Sequence, residues 1–187
     1  MTVGFALCGS FCTYKEIFPV MEALAKNHTV IPIFSQAAST FDSRFGTARE
    51  HLQKAAAICG RPPLTTIPEV EPIGPKKMLD ALIIAPCTGN TLAKLSHGIA
   101  DGPVTMAAKS HLRNGRPVIL AVSTNDALAG AAENIGRLLA RKHYYLVPFR
   151  QDDTENKPTS MVADFKRIPP TLEAALEGRQ IQPILLG

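Results

Sequence analysis

The chain has 187 residues, 45% of them hydrophobic and 19% charged, with a formal net charge of +4, which is ordinary for one soluble globular domain. Its longest apolar runs, Ala81–Pro86 and Val118–Val122, are far too short to span a bilayer. The basic residues are scattered rather than massed into an aromatic-interleaved stripe, which argues against a nucleic-acid surface and leaves a mild positive field suited to an anionic substrate.

The first residues lack the basic start and long apolar stretch of a signal peptide, so Val3–Leu7 reads as a core strand and a cytoplasmic location is expected. Thr13–Lys26 follows as a helix with Ile17, Met21 and Leu24 on one side. His28–Phe34 is a second strand and Arg44–Ile58 a second helix; Gly60-Arg-Pro-Pro breaks it, and Pro68–Pro75 is an irregular connection. Ala81–Ala85, short and uncharged, reads as a buried parallel strand that Pro86 stops. Cys87-Thr88-Gly89-Asn90 then makes a polar turn before a helix at Thr91–His97, with Leu92, Leu95 and Ile99 on its inner face and Gly98 as its stop. Val104–Arg113 is a further helix, Val118–Val122 a fourth strand, Leu128–Arg141 a helix and Tyr144–Pro148 a fifth strand. From 150 to 164 the chain is polar without periodicity and reads as a mobile loop. The terminal segment, 165–187, holds a short final helix, Leu172–Leu176, and a peripheral tail to Gly187.

Strands alternating with helices predict a three-layer α/β fold, a flavodoxin-like doubly wound parallel sheet of order 2-1-3-4-5. A single domain, 1–187, with its core in 1–148 is expected. In that order the ligand crevice opens where strands 1 and 3 diverge. Three loops should meet there: Cys8–Thr13, Ser35–Ser39 and Pro86–Asn90.

The first loop has Gly9, Ser10 and Thr13 at a helix start, a set able to hold one phosphate through backbone amides; helix capping is the other reading of Ser10 and Thr13. Neither a G-x-G-x-x-G nor a G-x-x-x-x-G-K-[ST] pattern is present. One phosphate points to a mononucleotide such as FMN, and the polar turn at 87–90 suits the pyrimidine edge of a flavin. After the fourth strand, Asn125 serves either as an N-cap or as an amide donor to a substrate carboxylate. The four cysteines and five histidines show no metal-ligand spacing, so no metal is expected. Buried free thiols are the favoured reading, Cys87 at its strand end included.

The run Ala85-Pro-Cys-Thr-Gly-Asn-Thr-Leu-Ala-Lys-Leu-Ser-His-Gly-Ile-Ala-Asp101 resembles the flavin-binding segment of the homo-oligomeric flavin-containing cysteine decarboxylases. That family includes phosphopantothenoylcysteine decarboxylases and, more distantly, flavin prenyltransferases; with Gly9-Ser10 and Ser35 the likeness extends over about Met1–Pro148. The decarboxylases carry Pro-Ala-Met-Asn followed by another Met, where this chain has Val122-Ser-Thr-Asn125 and Leu128. Only Asn125, the substrate-carboxylate ligand by resemblance, is kept. The family's histidine and cysteine-bearing substrate lid lack a clear counterpart, His51 being the nearest.

The whole chain is similar to a narrower family, the B subunits of dipicolinate synthase, through Asn134–Leu139 and Tyr144–Phe165. The likeness implies a sporulation oxidoreductase subunit that binds FMN and acts with an A subunit resembling a nicotinamide-binding dehydrogenase. Together they would convert dihydrodipicolinate to dipicolinate, with NADP bound through the partner. It assigns Gly9, Ser10, Thr13 and Ser35 to phosphate and Pro86, Thr88 and Asn90 to the isoalloxazine. Asn125 holds one carboxylate of a small dicarboxylate, and Lys157 with Ser160 closes over the other, Arg150 being an alternative clamp. A homo-oligomer, a trimer or larger, is implied as well. Two rival readings are a non-catalytic docking subunit and a flavin-dependent decarboxylase of altered specificity.

Overall fold

A computed structural model describes residues 1–187. Its centre is four parallel strands, β1 (Thr2–Leu7), β2 (Thr29–Phe34), β3 (Ala81–Cys87) and β4 (Val118–Thr124), in the order β2-β1-β3-β4. All of β3, and β4 as far as Ser123, is buried, as the continuous apolar runs of a sheet covered on both faces require. A short β5 (Tyr144–Leu146) pairs in parallel with the first half of β4, completing the expected order.

Helices make every crossover: α1 (Tyr14–Ala25), then α2 (Gln36–Thr40), α3 (Ala48–Cys59) and α4 (Ile67–Val70), then α5 (Gly89–His97) and α6 (Pro103–Leu112), then α7 (Ala132–Leu139). In α1 the buried residues Ile17, Phe18, Met21 and Leu24 recur at helical spacing, so one face seals the sheet. α3 starts later than Arg44 because Thr47 and Glu50 form a capping box, Glu50 N donating to Thr47 Oγ1 at 3.2 Å and Thr47 N to Glu50 Oε2 at 2.7 Å. The α5 boundary falls at Gly98, in the left-handed region at φ +72°. Ile99, expected on the inner face, lies beyond that stop and is half-exposed.

Two expectations are corrected. Pro86 does not end β3: the strand continues to Cys87, which pairs with Val122 after a bulge beyond Ile84, and the bulge is where a strand tolerates a residue lacking an N–H. The polar stretch 150–164 is not an irregular loop. It forms a hairpin of β6 (Phe149–Asp153) and β7 (Lys157–Ala163), and β7 runs antiparallel to the end of β4, with Ser123 opposite Val162 and Thr124 opposite Met161. The final helix, α8 (Ile168–Leu176), begins earlier than expected and buries Ile168, Leu172 and Ala175 in the same apolar cluster as the sheet, while the tail from Glu177 to Gly187 holds no buried residue. No helix is long and apolar enough to cross a membrane.

Candidate functional site

The carboxyl ends of β1, β2, β3 and β4 set the site. After β1 the chain turns through Cys8–Ser10 into a short helical turn at Phe11–Thr13. Two bonds fix this loop: the buried Tyr14 hydroxyl donates to Cys8 O at 2.9 Å, and Thr13 Oγ1 to Ser10 O at 2.8 Å. Neither Ser10 nor Thr13 caps a helix with its side chain, which removes the capping reading of both. The Ser10 hydroxyl instead meets the Ser123 hydroxyl at the end of β4, at 2.9 Å.

After β2, Ser35 caps α2, its Oγ accepting from Ala38 N at 3.2 Å. The amides of Gln36 and Ala37 in that first turn have no intrahelical acceptor. After β3, Thr88 caps α5, accepting from Thr91 N at 3.4 Å. Gly89 begins α5 where a Cβ would stand 2.7 Å from Thr124 Oγ1 and 2.8 Å from Asp126 Oδ1. Glycine therefore lets the helix start approach the end of β4 this closely.

These loops enclose two adjoining cavities. One, of about 410 Å³, is lined by Gly9, Ser35, Gln36, Ala37, Thr88 and Asn90, with Lys94, Asp101 and Thr105 beyond them. The other, of about 600 Å³, is lined by Ser10, Thr13, Asn125, Lys157 and Ser160, with Lys15, Arg44, Ser123 and Asp152. Gly9 and Thr88 line both, so the cavities meet at the junction of the β1 and β3 loops.

The residues expected to hold cofactor and substrate thus fall on this double cleft, except Pro86 and the alternative clamp Arg150. Pro86 is buried inside β3 and lines neither cavity. Arg150 faces a separate groove between α1 and the hairpin, so it does not share the cavity of Asn125. His51 packs among aromatic rings, 4.7 Å from Tyr14 centroid to centroid, and lines neither cavity; burial holds its pKa below the usual histidine value. Cys87 is wholly buried and burial raises its pKa, as it raises that of Cys8 to about 11, so both thiols stay protonated.

The hairpin forms a wall of the larger cavity and is tied to the loop after β4. Thr159 Oγ1 donates to Asn125 O at 2.6 Å, Leu128 N to Thr159 O at 3.0 Å, and Ser160 Oγ to Asn125 Oδ1 at 3.4 Å. Lys157 reaches Asp152 within the hairpin at 3.6 Å. Sequence reasoning passed over the Lys94–Asp101 ion pair, 2.9 Å apart on the rim of the smaller cavity, although both residues lie in the run from Ala85 to Asp101. It also passed over Lys15 and Arg44, which carry no local signal of site membership.

Comparison with known proteins places this geometry in context. The Flavoprotein family model matches residues 1–155. The chain is 43% identical over 185 residues to the dipicolinate synthase B subunit of Bacillus subtilis, covering 98% of this chain and 92% of that protein. It is similar to the crystal structure of the dipicolinate synthase B subunit from Bacillus halodurans, with a TM-score of 0.91 and 44% identity over 100% of this chain and 96% of that one. The FMN-dependent cysteine decarboxylase SpaF, at 21% identity and a TM-score of 0.67 over 95% of this chain and 97% of that one, shares the fold.

Proposed function

The chain belongs to the flavoprotein family and, within it, to the B subunits of dipicolinate synthase, and from that premise we propose that it binds FMN at the β1/β3 crevice and serves in oxidising a dihydrodipicolinate to dipicolinate. The observation that carries this reading is the meeting of Gly9, Ser35, Thr88 and Asn90, from three strand ends, on one cleft. Their chemistry fits a flavin mononucleotide. The Ser35 hydroxyl, the Gly9 backbone and the free amides of Gln36 and Ala37 suit a single phosphate. Thr88 and Asn90, at the start of α5, offer a hydroxyl and a carboxamide to the edge of a ring.

When bound, the flavin supplies a hydride acceptor beside the substrate. The chain's own residues hold and orient. Asn125 is anchored through its backbone carbonyl by Thr159 and through Oδ1 by Ser160, which leaves its Nδ2 to donate to a substrate carboxylate. Lys157 adds positive charge on the same cavity. Aromatisation favours hydride loss, so fixing the ring against its acceptor is the main demand on the protein. NADP is assigned to the A subunit, since this chain has no dinucleotide loop.

The test is FMN uptake by the purified chain, followed as visible absorbance, together with dipicolinate formation by the A subunit with and without this chain. Uptake of one flavin per chain and a rate that depends on both subunits are expected. A colourless protein that takes up no added FMN overturns the flavin part, and an undiminished rate from the A subunit alone overturns the catalytic part.

A further inference from the structure

The larger cavity holds a cation that the roles above leave unused. Residues 43–46 close on themselves, Ser43 N donating to Gly46 O at 3.0 Å and Gly46 N to Ser43 O at 3.1 Å, with Gly46 at φ +125°, a conformation glycine adopts readily. The turn is braced inside by Phe45 N donating to Ser43 Oγ at 3.1 Å and at its base by Ala48 N donating to the Asp42 carboxylate at 2.9 Å. Its tip places Arg44 and Phe45 on the cavity that Asn125 and Ser160 line.

The Arg44 guanidinium stacks on the Phe45 ring, its Cζ 4.8 Å from the centroid. Ion pairs within 4 Å engage Lys157 with Asp152 but leave Arg44 without an acidic partner. The aromatic face steadies the planar group, while its N–H fork stays unspent in a cavity also lined by two other cations, Lys15 and Lys157. A planar fork of that kind matches a carboxylate through two parallel hydrogen bonds, which a lysine cannot reproduce.

We propose that Arg44 is a specificity-determining residue that takes one carboxylate of a small planar dicarboxylate while Asn125, steadied through its Oδ1 by Ser160, holds the other. The proposal rests on the reading of this cavity as the substrate side of the flavin site. A ligand with one carboxylate leaves either Arg44 or Asn125 unmatched, so the pair of anchors selects for two acidic groups carried on one ring.

The experiment measures binding of pyridine-2,6-dicarboxylate and pyridine-2-carboxylate to the full-length, FMN-loaded chain by calorimetry, with flavin content read by absorbance in the same samples. Wild type is expected to prefer the dicarboxylate by about tenfold or more. Arg44→Ala should bring the two ligands to within about twofold, chiefly by weakening the dicarboxylate, and Arg44→Lys should restore only part of the preference; flavin content should not change. Equal affinities in wild type, no binding of either ligand, or equal weakening of both ligands by Arg44→Ala would each overturn the clamp while normal flavin content leaves the flavin assignment standing. Failure of wild type to take up flavin overturns both.

Discussion

The hydroxyls of Ser10 and Ser123 lie 2.9 Å apart, joining the loop after β1 to the end of β4 across 113 positions of sequence. A part-buried bond between two neutral hydroxyls contributes about 1 kcal/mol net. Ser10→Ala and Ser123→Ala should therefore each lower stability by about that much in urea unfolding, and the double variant should cost little more than either single one. Strict additivity in that cycle would show that the two side chains do not depend on each other.

A second prediction separates the two cavities. Asn90 lines the smaller one and Lys157 the larger, on opposite sides of the Gly9–Thr88 junction. Asn90→Ala should weaken FMN uptake by about tenfold, in line with loss of a ring-directed hydrogen bond. Lys157→Ala should leave FMN uptake within about twofold and raise the substrate KM instead. Equal effects of the two variants on flavin uptake would remove the division of labour between the cavities.

How much of this was legible in the sequence depends on whether the signal is local. Ser35 and Thr88 were readable as site residues because each follows an apolar strand, and loops at the carboxyl ends of parallel strands border the crevice; that both also cap the next helix is seen only in the structure. Arg150-Gln-Asp-Asp was not readable as β6: its side chains are exposed or half-exposed, and it becomes a strand only because β7 supplies hydrogen-bonding partners. Pairing of that kind leaves no period in the strand itself. Arg44 escaped for the same reason. Only the closure of Ser43 on Gly46, together with the capping box that delays α3, brings it to the cavity. Pro86 failed in the opposite direction, since a proline suggests a stop unless the bulge around it is foreseen.

Gly89 gives a prediction about the hinge between the β3 loop and β4. A methyl group there would meet Thr124 Oγ1 at 2.7 Å and Asp126 Oδ1 at 2.8 Å, both closer than carbon–oxygen contact allows. Gly89→Ala should push the start of α5 away from β4 and cost about 1–3 kcal/mol in chemical denaturation. Because Thr88 and Asn90 flank this position on the smaller cavity, the same change should also weaken flavin uptake. Gly89→Ala with Asp126→Gly, which clears one of the two clashing groups, should recover part of both losses. A substitution without effect on either stability or flavin would mean the helix start is not confined by β4.

His111 makes the stability of the fold depend on pH. It is fully buried on α6, and its Nε2 donates to Pro117 O at 3.1 Å, which leaves Nδ1 buried with no partner. Protonating Nδ1 would add a charge and an unmatched N–H to the interior, and burial accordingly lowers the pKa from 6.5 to about 4. A histidine whose pKa is depressed by folding stabilises the native state above its unfolded value, and that contribution is lost as pH falls. Stability should decline from pH 6.5 to about 4, by on the order of 2–3 kcal/mol from this residue. His51, whose pKa burial also lowers, acts in the same direction. His111→Gln keeps an N–H donor for Pro117 O but cannot titrate, so its unfolding free energy should change with pH less steeply than that of wild type between pH 6.5 and 4. Parallel pH profiles for the two proteins in that window would show that His111 is already solvated or charged in the native state.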